Sequence, residues 1–183
     1  MNYLPASEEL PADEAEPPAS WLRVEVTNQT DRPVDADRIE AAVRRVLAGL
    51  AGRPAEVSVA IVDDGAIHRL NRQFLAHDYP TDVLSFVLED DPKQLAGEIV
   101  VSVDVAERTA AEVGWSAADE LLLYVVHGAL HLAGFRDQQP REAAAMRAAE
   151  AAALDGLGVR RSPRDERWHS SQQPRTGEEM HAT

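Results

Sequence analysis

The most constraining feature of this chain is a pair of histidines four residues apart, His127 and His131, followed by Asp137. On an α-helix, residues at positions i and i+4 lie one above the other, with Cβ atoms roughly 6 Å apart, so both imidazoles can reach one metal ion. Gly134 is the residue type that lets a helix end in a left-handed turn, which would return Asp137 to the same point. The segment therefore predicts a helix that ends beside its own metal site.

A histidine pair at this spacing can also be a structural feature of a buried helix, where the rings only hydrogen-bond their neighbours. The apolar run over residues 121–126 leads directly into the pair, which makes this helix part of the core. Two imidazoles without partners would be costly there, and this favours metal binding. Zinc accepts imidazole nitrogen and carboxylate oxygen, and catalytic zinc sites keep a water beside three protein ligands. We therefore predict one zinc ion per chain and a hydrolytic reaction, although nickel or copper would accept the same donors.

Length and composition indicate one intracellular domain. The 183 residues can bury a sizeable core, and with no cysteine any zinc must be held by His, Asp or Glu. No apolar run approaches a membrane span, and the first residues lack the pattern of a signal peptide. We expect a cytoplasmic protein with no membrane partner.

The acidic balance restricts how the protein could bind nucleic acid. The formal net charge is −14, and residues 21–160 alone carry 23 acidic and 14 basic residues, a net charge of −9. This balance argues against a protein that binds nucleic acid mainly through a broad basic face. Any nucleic-acid substrate must be held by a local cleft, by the charge of the metal or through a partner protein.

The chain divides into a folded part and two tails. Residues 1–20 combine four prolines with five acids, and we expect a disordered acidic tail there. Residues 161–183 are predicted to be disordered too, so His169 and His181 are expected to be solvated. The folded domain is predicted over residues 21–160.

Alternation and helical periodicity predict strands and helices mixed along this domain. Strands are predicted over 21–26, 57–62, 82–88 and 98–103. Helices are predicted over 35–50, 103–113 and 141–157, and the first of these is ended by Gly52 and Pro54. Two further helices are predicted, one capped by Asp63 or Asp64 and reaching Phe74, and one that begins at Ser116. We expect Ser116 and Asp119 to form a capping box. The charges of the last helix, Glu150 among them, are interpreted as a solvated face. We predict an α+β fold with a single mixed sheet of about four strands covered by helices.

Three segments of the chain together resemble a known family. They are Leu70-Asn71-Arg72-Gln73-Phe74 with Asp78-Tyr79-Pro80-Thr81-Asp82-Val83-Leu84-Ser85-Phe86, then Gly97-Glu98-Ile99-Val100-Val101-Ser102, and finally His127-Gly128-Ala129-Leu130-His131-Leu132-Ala133-Gly134. Their order and spacing resemble those of the YbeY-type metal-dependent endoribonucleases of bacterial ribosomal RNA maturation. The likeness runs from about residue 55 to 155.

The resemblance implies a single-strand-preferring endoribonuclease that matures the 3′ end of 16S ribosomal RNA and takes part in ribosome quality control, with a zincin-like helix across the cleft. It implies RNA and ribosomal small-subunit proteins as partners, and no DNA. The family's third histidine corresponds here to Asp137, which adds a negative charge to the site. The family's usual arginine corresponds to Leu75, so Arg72 or Arg136 would have to supply a cation for phosphate.

Gly128 and the segment from Thr81 to Ser85 bear on the reaction itself. Gly128 stands where thermolysin-like zinc proteases carry a glutamate as general base, so a water acidified by the metal is predicted to be the nucleophile. By resemblance, Thr81, Asp82 and Ser85 line the cleft, and Asp82 and Ser85 are the predicted catalytic residues. Pro80-Thr81-Asp82 is also ordinary turn chemistry. His68 and His77 have no partner at ligand spacing and are predicted to be solvated.

Two other functions remain open from the sequence. The protein could be a non-catalytic ribosome-assembly factor with a structural metal, whose acidic surface binds ribosomal proteins; the net charge and Leu75 favour this alternative. It could also hydrolyse a peptide or another small substrate, because ligand geometry does not name a substrate. Gly128 weighs against a protease.

Overall fold

The computed structural model describes residues 21–48, 54–90 and 94–159. The predicted tails, 1–20 and 161–183, lie outside the described residues, and so do Leu50 and Gly52, where the sequence predicts the end of the first helix. The elements in chain order are β1 (Leu22–Asn28), α1 (Ala36–Leu47), β2 (Ala55–Val62), α2 (Asp64–Leu75), β3 (Val83–Asp90), β4 (Leu95–Ser102), α3 (Val103–Val113), α4 (Ala117–Leu132) and α5 (Pro140–Asp155).

The four strands form one mixed sheet in the order β1-β2-β4-β3. The first three strands in this order run parallel, with Leu22 beside Ala55 and Ala55 beside Leu95. β3 pairs antiparallel with β4 and places Val83 beside Val101. The α+β prediction with about four strands is therefore confirmed. β3, which contains Ser85 and directly follows Thr81 and Asp82, lies at the edge of the sheet.

Helices cover both faces of the sheet because the strands alternate apolar side chains between them. Val57, Val59 and Ile61 of β2 belong to the main core, which α1, α4 and α5 complete. Ala60 and Val62 point to the opposite face and pack with Ile67 of α2 in a smaller core. The helix with the histidine pair, α4, is therefore held directly against the sheet.

Helix boundaries follow the predicted caps with two corrections. Asp63 caps α2, and α3 ends at Gly114 in the left-handed conformation with φ of 71°. Ser116 caps α4 and accepts a hydrogen bond from the Asp119 amide, but the Asp119 carboxylate binds Arg38 of α1 at 2.7 Å, so the predicted capping box is wrong in its second half. Val103 begins α3, as predicted for that helix, but it does not belong to β4, which ends at Ser102. None of the described helices has both the length and the apolar character needed to cross a membrane.

Gly128 allows α4 to approach the sheet closely. A Cβ atom at this position would lie 2.8 Å from Cγ2 of Ile99 in β4 and 2.9 Å from Oγ of Ser85 in β3. Real Cβ atoms essentially never come this close to other heavy atoms, so any larger residue would force the helix or these side chains to shift. The residue that follows the first histidine is thus fixed by packing, which also leaves no room for the glutamate of a thermolysin-like protease.

Candidate metal centre

The last turns of α4 and the segment after it bring three potential metal ligands together. His127 Nε2 lies 3.0 Å from His131 Nε2 and 3.8 Å from Asp137 Oδ2. One ligand atom from each of the three residues falls within 4.8 Å of the other two. The structure therefore brings together the three residues that the sequence predicts as ligands.

The return of Asp137 depends on how α4 ends. Gly134 adopts φ of 88°, a left-handed conformation that glycine tolerates well. The Phe135 amide donates to the Leu130 carbonyl at 3.0 Å, and the Gly134 amide donates to the His131 carbonyl at the same distance. These bonds close the helix and reverse the chain, so that Asp137 points back toward the histidines.

The hydrogen bonds at the two Nδ1 atoms define which ring nitrogens can bind a metal. His127 Nδ1 lies 2.7 Å from Oε1 of Glu150, and His131 Nδ1 lies 3.1 Å from the carbonyl oxygen of Phe135. A carbonyl oxygen and an ionised carboxylate can only accept hydrogen bonds. In the neutral form of each ring, the proton therefore lies on Nδ1. Both Nε2 atoms then present lone pairs toward one point beside the Asp137 carboxylate.

This donor set fits a divalent ion such as zinc. Two nitrogens bound tetrahedrally at 2.0–2.1 Å would lie about 3.3 Å apart, close to the 3.0 Å between the two Nε2 atoms. Carboxylate oxygen completes a set of two nitrogens and one oxygen, a type found in catalytic zinc sites. His127, His131 and Asp137 are therefore able to hold one ion with a coordination position left for solvent or substrate.

The charges around the site act differently on its two imidazoles. Burial works to lower the pKa of the His127 ring, but the hydrogen bond to Glu150 and the charges of Glu150, Asp82 and Asp137 together outweigh it and raise the pKa above 6.5. Burial and the neighbouring His127 lower the pKa of His131 below the same ordinary value. Of the two rings, His127 therefore holds its extra proton to the higher pH, and this proton is the first to compete with a metal ion as the pH falls.

Glu150 is the residue of this site that the sequence interpretation missed. We interpret the charges of α5 from the sequence as a solvated face, and this is wrong for Glu150, whose side chain is only 16% exposed. The available signal was its spacing from Met146, Ala153 and Leu154, which are buried at positions i−4, i+3 and i+4. Glu150 therefore belongs to the inward stripe of α5.

A cavity of about 1270 Å³ opens over the histidines between α4 and the edge strand β3. Thr81, Asp82 and Ser85 line it together with the three potential ligands, as the resemblance implies. The Asp82 carboxylate accepts hydrogen bonds from the Thr81 hydroxyl at 3.0 Å and from the Val83 amide at 2.8 Å. The Ser85 hydroxyl donates to the Gly128 carbonyl at 3.3 Å and so links β3 to α4.

The other residues singled out in the sequence divide between the cavity and the surface. Leu75 and Arg136 line the cavity, and Arg72 is not among the described residues that line it, so Arg136 is the nearer substitute for the family's arginine. His68 is partly exposed and its Nε2 lies 2.8 Å from Asp78 Oδ1. His77 is exposed and its ring stacks on Tyr79. Neither histidine approaches the potential ligands.

Comparisons with known proteins agree with this geometry. The family described as Endoribonuclease YbeY matches residues 25–158. A protein named Endoribonuclease YbeY from Moorella thermoacetica is 43% identical over 150 residues, which cover 73% of this chain and 95% of that protein. One of the same name from Rhodopirellula baltica is 51% identical over 105 residues, 56% of this chain and 54% of the relative.

A solved structure has the same architecture. The solution structure of TM1509 from Thermotoga maritima aligns with 86% of this chain and 99% of its own, at 25% identity and a TM-score of 0.51. The resemblance inferred from the three motifs is confirmed by the family match and by the Moorella relative, which is covered over nearly its whole length. On this sequence and structural match, the chain belongs to the YbeY endoribonuclease family.

Proposed function

We propose that the chain is a zinc-dependent endoribonuclease that prefers single-stranded RNA and acts in the cytoplasm in ribosomal RNA processing, at the 3′ end of 16S ribosomal RNA and in ribosome quality control. One observation carries the proposal: the Nε2 atoms of His127 and His131 lie 3.0 Å apart beside the Asp137 carboxylate, at the floor of a large open cavity. Membership of the family supports RNA as the substrate.

His127, His131 and Asp137 would hold the ion, and the supporting hydrogen bonds would orient them. Bound there, zinc would supply a Lewis acid for a phosphodiester oxygen and an acidified water as the nucleophile. Glu150 and the Phe135 carbonyl keep the two imidazoles in the tautomer that presents Nε2. The ligand geometry therefore exists before substrate arrives.

Asp82 and Ser85 are the proposed catalytic residues contributed by the strand side of the cavity. Asp82 offers carboxylate oxygen to the substrate, and its position is fixed by the Thr81 hydroxyl and the Val83 amide. While the Ser85 hydroxyl donates to the Gly128 carbonyl, its oxygen can still accept a hydrogen bond, for example from a ribose hydroxyl. Hydrolysis would form a bond from the water oxygen to phosphorus and release the ribose oxygen with a proton.

The decisive experiment compares two histidine variants in zinc retention and in cleavage of a single-stranded RNA. His131→Ala removes a proposed ligand and is expected to abolish both. His68→Ala is the matched control, because His68 is partly exposed and contacts Asp78 outside the cavity, and it should retain both properties. Metal-dependent cleavage by His131→Ala at the rate of the unchanged protein would overturn the proposal.

The second candidate function is a ribosome-assembly factor with a structural metal that binds ribosomal small-subunit proteins. The net charge of −14 and the exposed Leu75 in the cavity favour it, because both weaken phosphate binding. Capture of small-subunit proteins that resists ribonuclease and is unaffected by His131→Ala, without RNA cleavage, would support this function over catalysis. Peptide hydrolysis is disfavoured because Gly128 has no room for a glutamate.

A further inference from the structure

Exposed aromatic rings line the same cavity as the metal ligands. Phe74 at the end of α2 is 55% exposed, and Tyr79 in the segment that follows is 53% exposed. Leu75, between them in sequence, is 52% exposed and lines the cavity too. Large apolar side chains concentrated in one opening are typical of a binding site rather than of a random surface.

Neighbouring residues hold both rings in place although solvent reaches them. Phe74 packs edge-to-face on the partly buried Phe86 of β3, with ring centroids 5.1 Å apart. Tyr79 stacks on His77 at 5.3 Å with an angle of 12° between the planes. The buried Asn71 amide donates to the Tyr79 carbonyl at 2.8 Å, which ties this segment to α2. The rings therefore present flat faces at little further cost in conformational entropy.

The charges of the cavity do not favour a ligand bound mainly through its phosphates. Among the described residues that line it, Asp82, Glu112 and Asp137 are acidic, and Arg136 alone carries a fixed positive charge. A divalent ion bound in the cavity would only neutralise this excess of acidic over basic groups. Phosphates on either side of the cleaved one would thus gain little electrostatic attraction, and the bases must contribute the affinity.

We infer that Phe74 and Tyr79 form a base-stacking subsite that binds unpaired nucleobases next to the metal centre; this inference rests on the proposed nuclease function. Base-on-aromatic stacking is the usual mode in single-strand binding and tolerates any base, because every base has a flat face. A base paired within a duplex is stacked on its neighbours and cannot offer that face. The subsite would therefore select single-stranded RNA. The cavity of about 1270 Å³ exceeds the roughly 300–1,000 Å³ of pockets for one small ligand, which suits a short stretch of polymer.

The first test measures binding by the full chain after removal of metal, so that cleavage plays no part. The probes are a short single-stranded RNA carrying 2-aminopurine and an abasic strand of equal length and charge. We expect the RNA to bind roughly 5- to 100-fold more tightly than the abasic strand, with quenching of the 2-aminopurine fluorescence. Equal affinity for the two strands would overturn the inference.

The variants Phe74→Leu and Tyr79→Leu keep apolar bulk and remove the flat ring. Each is expected to lower RNA affinity by roughly 5-fold or more without changing affinity for the abasic strand. Leu88→Ala is the control, because Leu88 is exposed on β3 but does not line the cavity. A loss that is equal for both strands would mean that the rings act only through folding, and would also overturn the inference.

Salt dependence gives an independent measurement. With one or two phosphates contacted, the slope of log K against log salt should be about −1. A slope several times steeper would indicate binding through many cations and contradict the inference. Base-dependent binding without cleavage under any divalent metal would reject the nuclease function and retain the subsite. Cleavage with unchanged rate and unchanged RNA affinity in both leucine variants would reject the subsite and retain the nuclease function.

Discussion

His127 Nδ1 lies 2.7 Å from Oε1 of Glu150, which is 23 positions later in the chain and on a different helix. Both side chains are largely buried, at 12% and 16% exposure. A carboxylate in this position fixes the orientation of the ring and strengthens the remaining nitrogen as a ligand. Glu150 is thus a positioning residue for the candidate metal centre, and it does not need to touch the ion.

Glu150→Gln is expected to weaken zinc binding roughly 10- to 100-fold at pH 8, as changes in residues that support metal ligands do. Competition with a chromophoric chelator measures the affinity. Glu89→Gln makes the same chemical change at an exposed position of β3 and should leave the affinity unaltered. Unchanged affinity in Glu150→Gln would show that the His127 ring is held in place without this carboxylate.

The same variant should alter the pH dependence of metal binding. Glu150 contributes to raising the pKa of His127 above 6.5. As the pH is lowered, the ring takes up a proton, and the affinity of the unchanged protein for zinc should begin to fall while the pH is still above 6.5. In Glu150→Gln the fall should begin at lower pH. Chelator competition across pH 5.5–8.5, at about half-unit steps, would reveal the shift, and superimposable profiles would contradict it.

Metal-free protein gives the complementary stability measurement. A pKa raised in the folded state contributes stability that is fully present below the unfolded value of 6.5 and is lost as the pH rises through the folded value. The difference in free energy of unfolding between the unchanged protein and Glu150→Gln should therefore be larger at pH 6 than at pH 8. Urea unfolding at the two pH values measures it, and a larger difference at pH 8 would reverse the assigned sign.

Substitutions at Asp137 test the third ligand. Asp137→Ala should lower zinc affinity by more than the roughly 10- to 100-fold expected for a supporting residue. Asp137→His supplies a third imidazole and should retain zinc, because imidazole and carboxylate bind at similar distances. Elemental analysis of the purified variants distinguishes these outcomes. Full zinc content in Asp137→Ala would remove Asp137 from the ligand set.

Gly128→Ala tests the close approach of α4 to the sheet. The added methyl group would meet Ile99 and Ser85 at less than 3 Å, and overpacking of this kind costs about 1–3 kcal/mol of stability. Gly65→Ala in α2 is the control, since its Cβ would meet only ordinary contacts at 3.4 Å and alanine favours the helix. Chemical denaturation measures both, and equal stability of the two variants would contradict the packing argument.

The predicted helix ends and caps were confirmed best where they depend on residues close together in the sequence. The end of α3 at Gly114 and the turn at Gly134 follow from the preference of glycine for positive φ, and Ser116 caps α4 as predicted. The second half of the capping box failed because Arg38, which is distant in sequence, takes the Asp119 carboxylate. Local patterns cannot anticipate a competitor brought in by another helix.

The sequence by itself determined the helix with its i, i+4 histidine pair, the turn that returns Asp137 and the alternating strands, because these depend on backbone geometry within a few residues. Only the tertiary structure decided that Glu150 supports His127 and that Gly128 meets Ile99 and Ser85. It also decided that Phe74 and Tyr79 line the cavity over the two histidines. The physical reason is that these relationships depend on how α5, α2 and the sheet pack around α4. Packing joins residues whose separation along the chain carries no periodic signal.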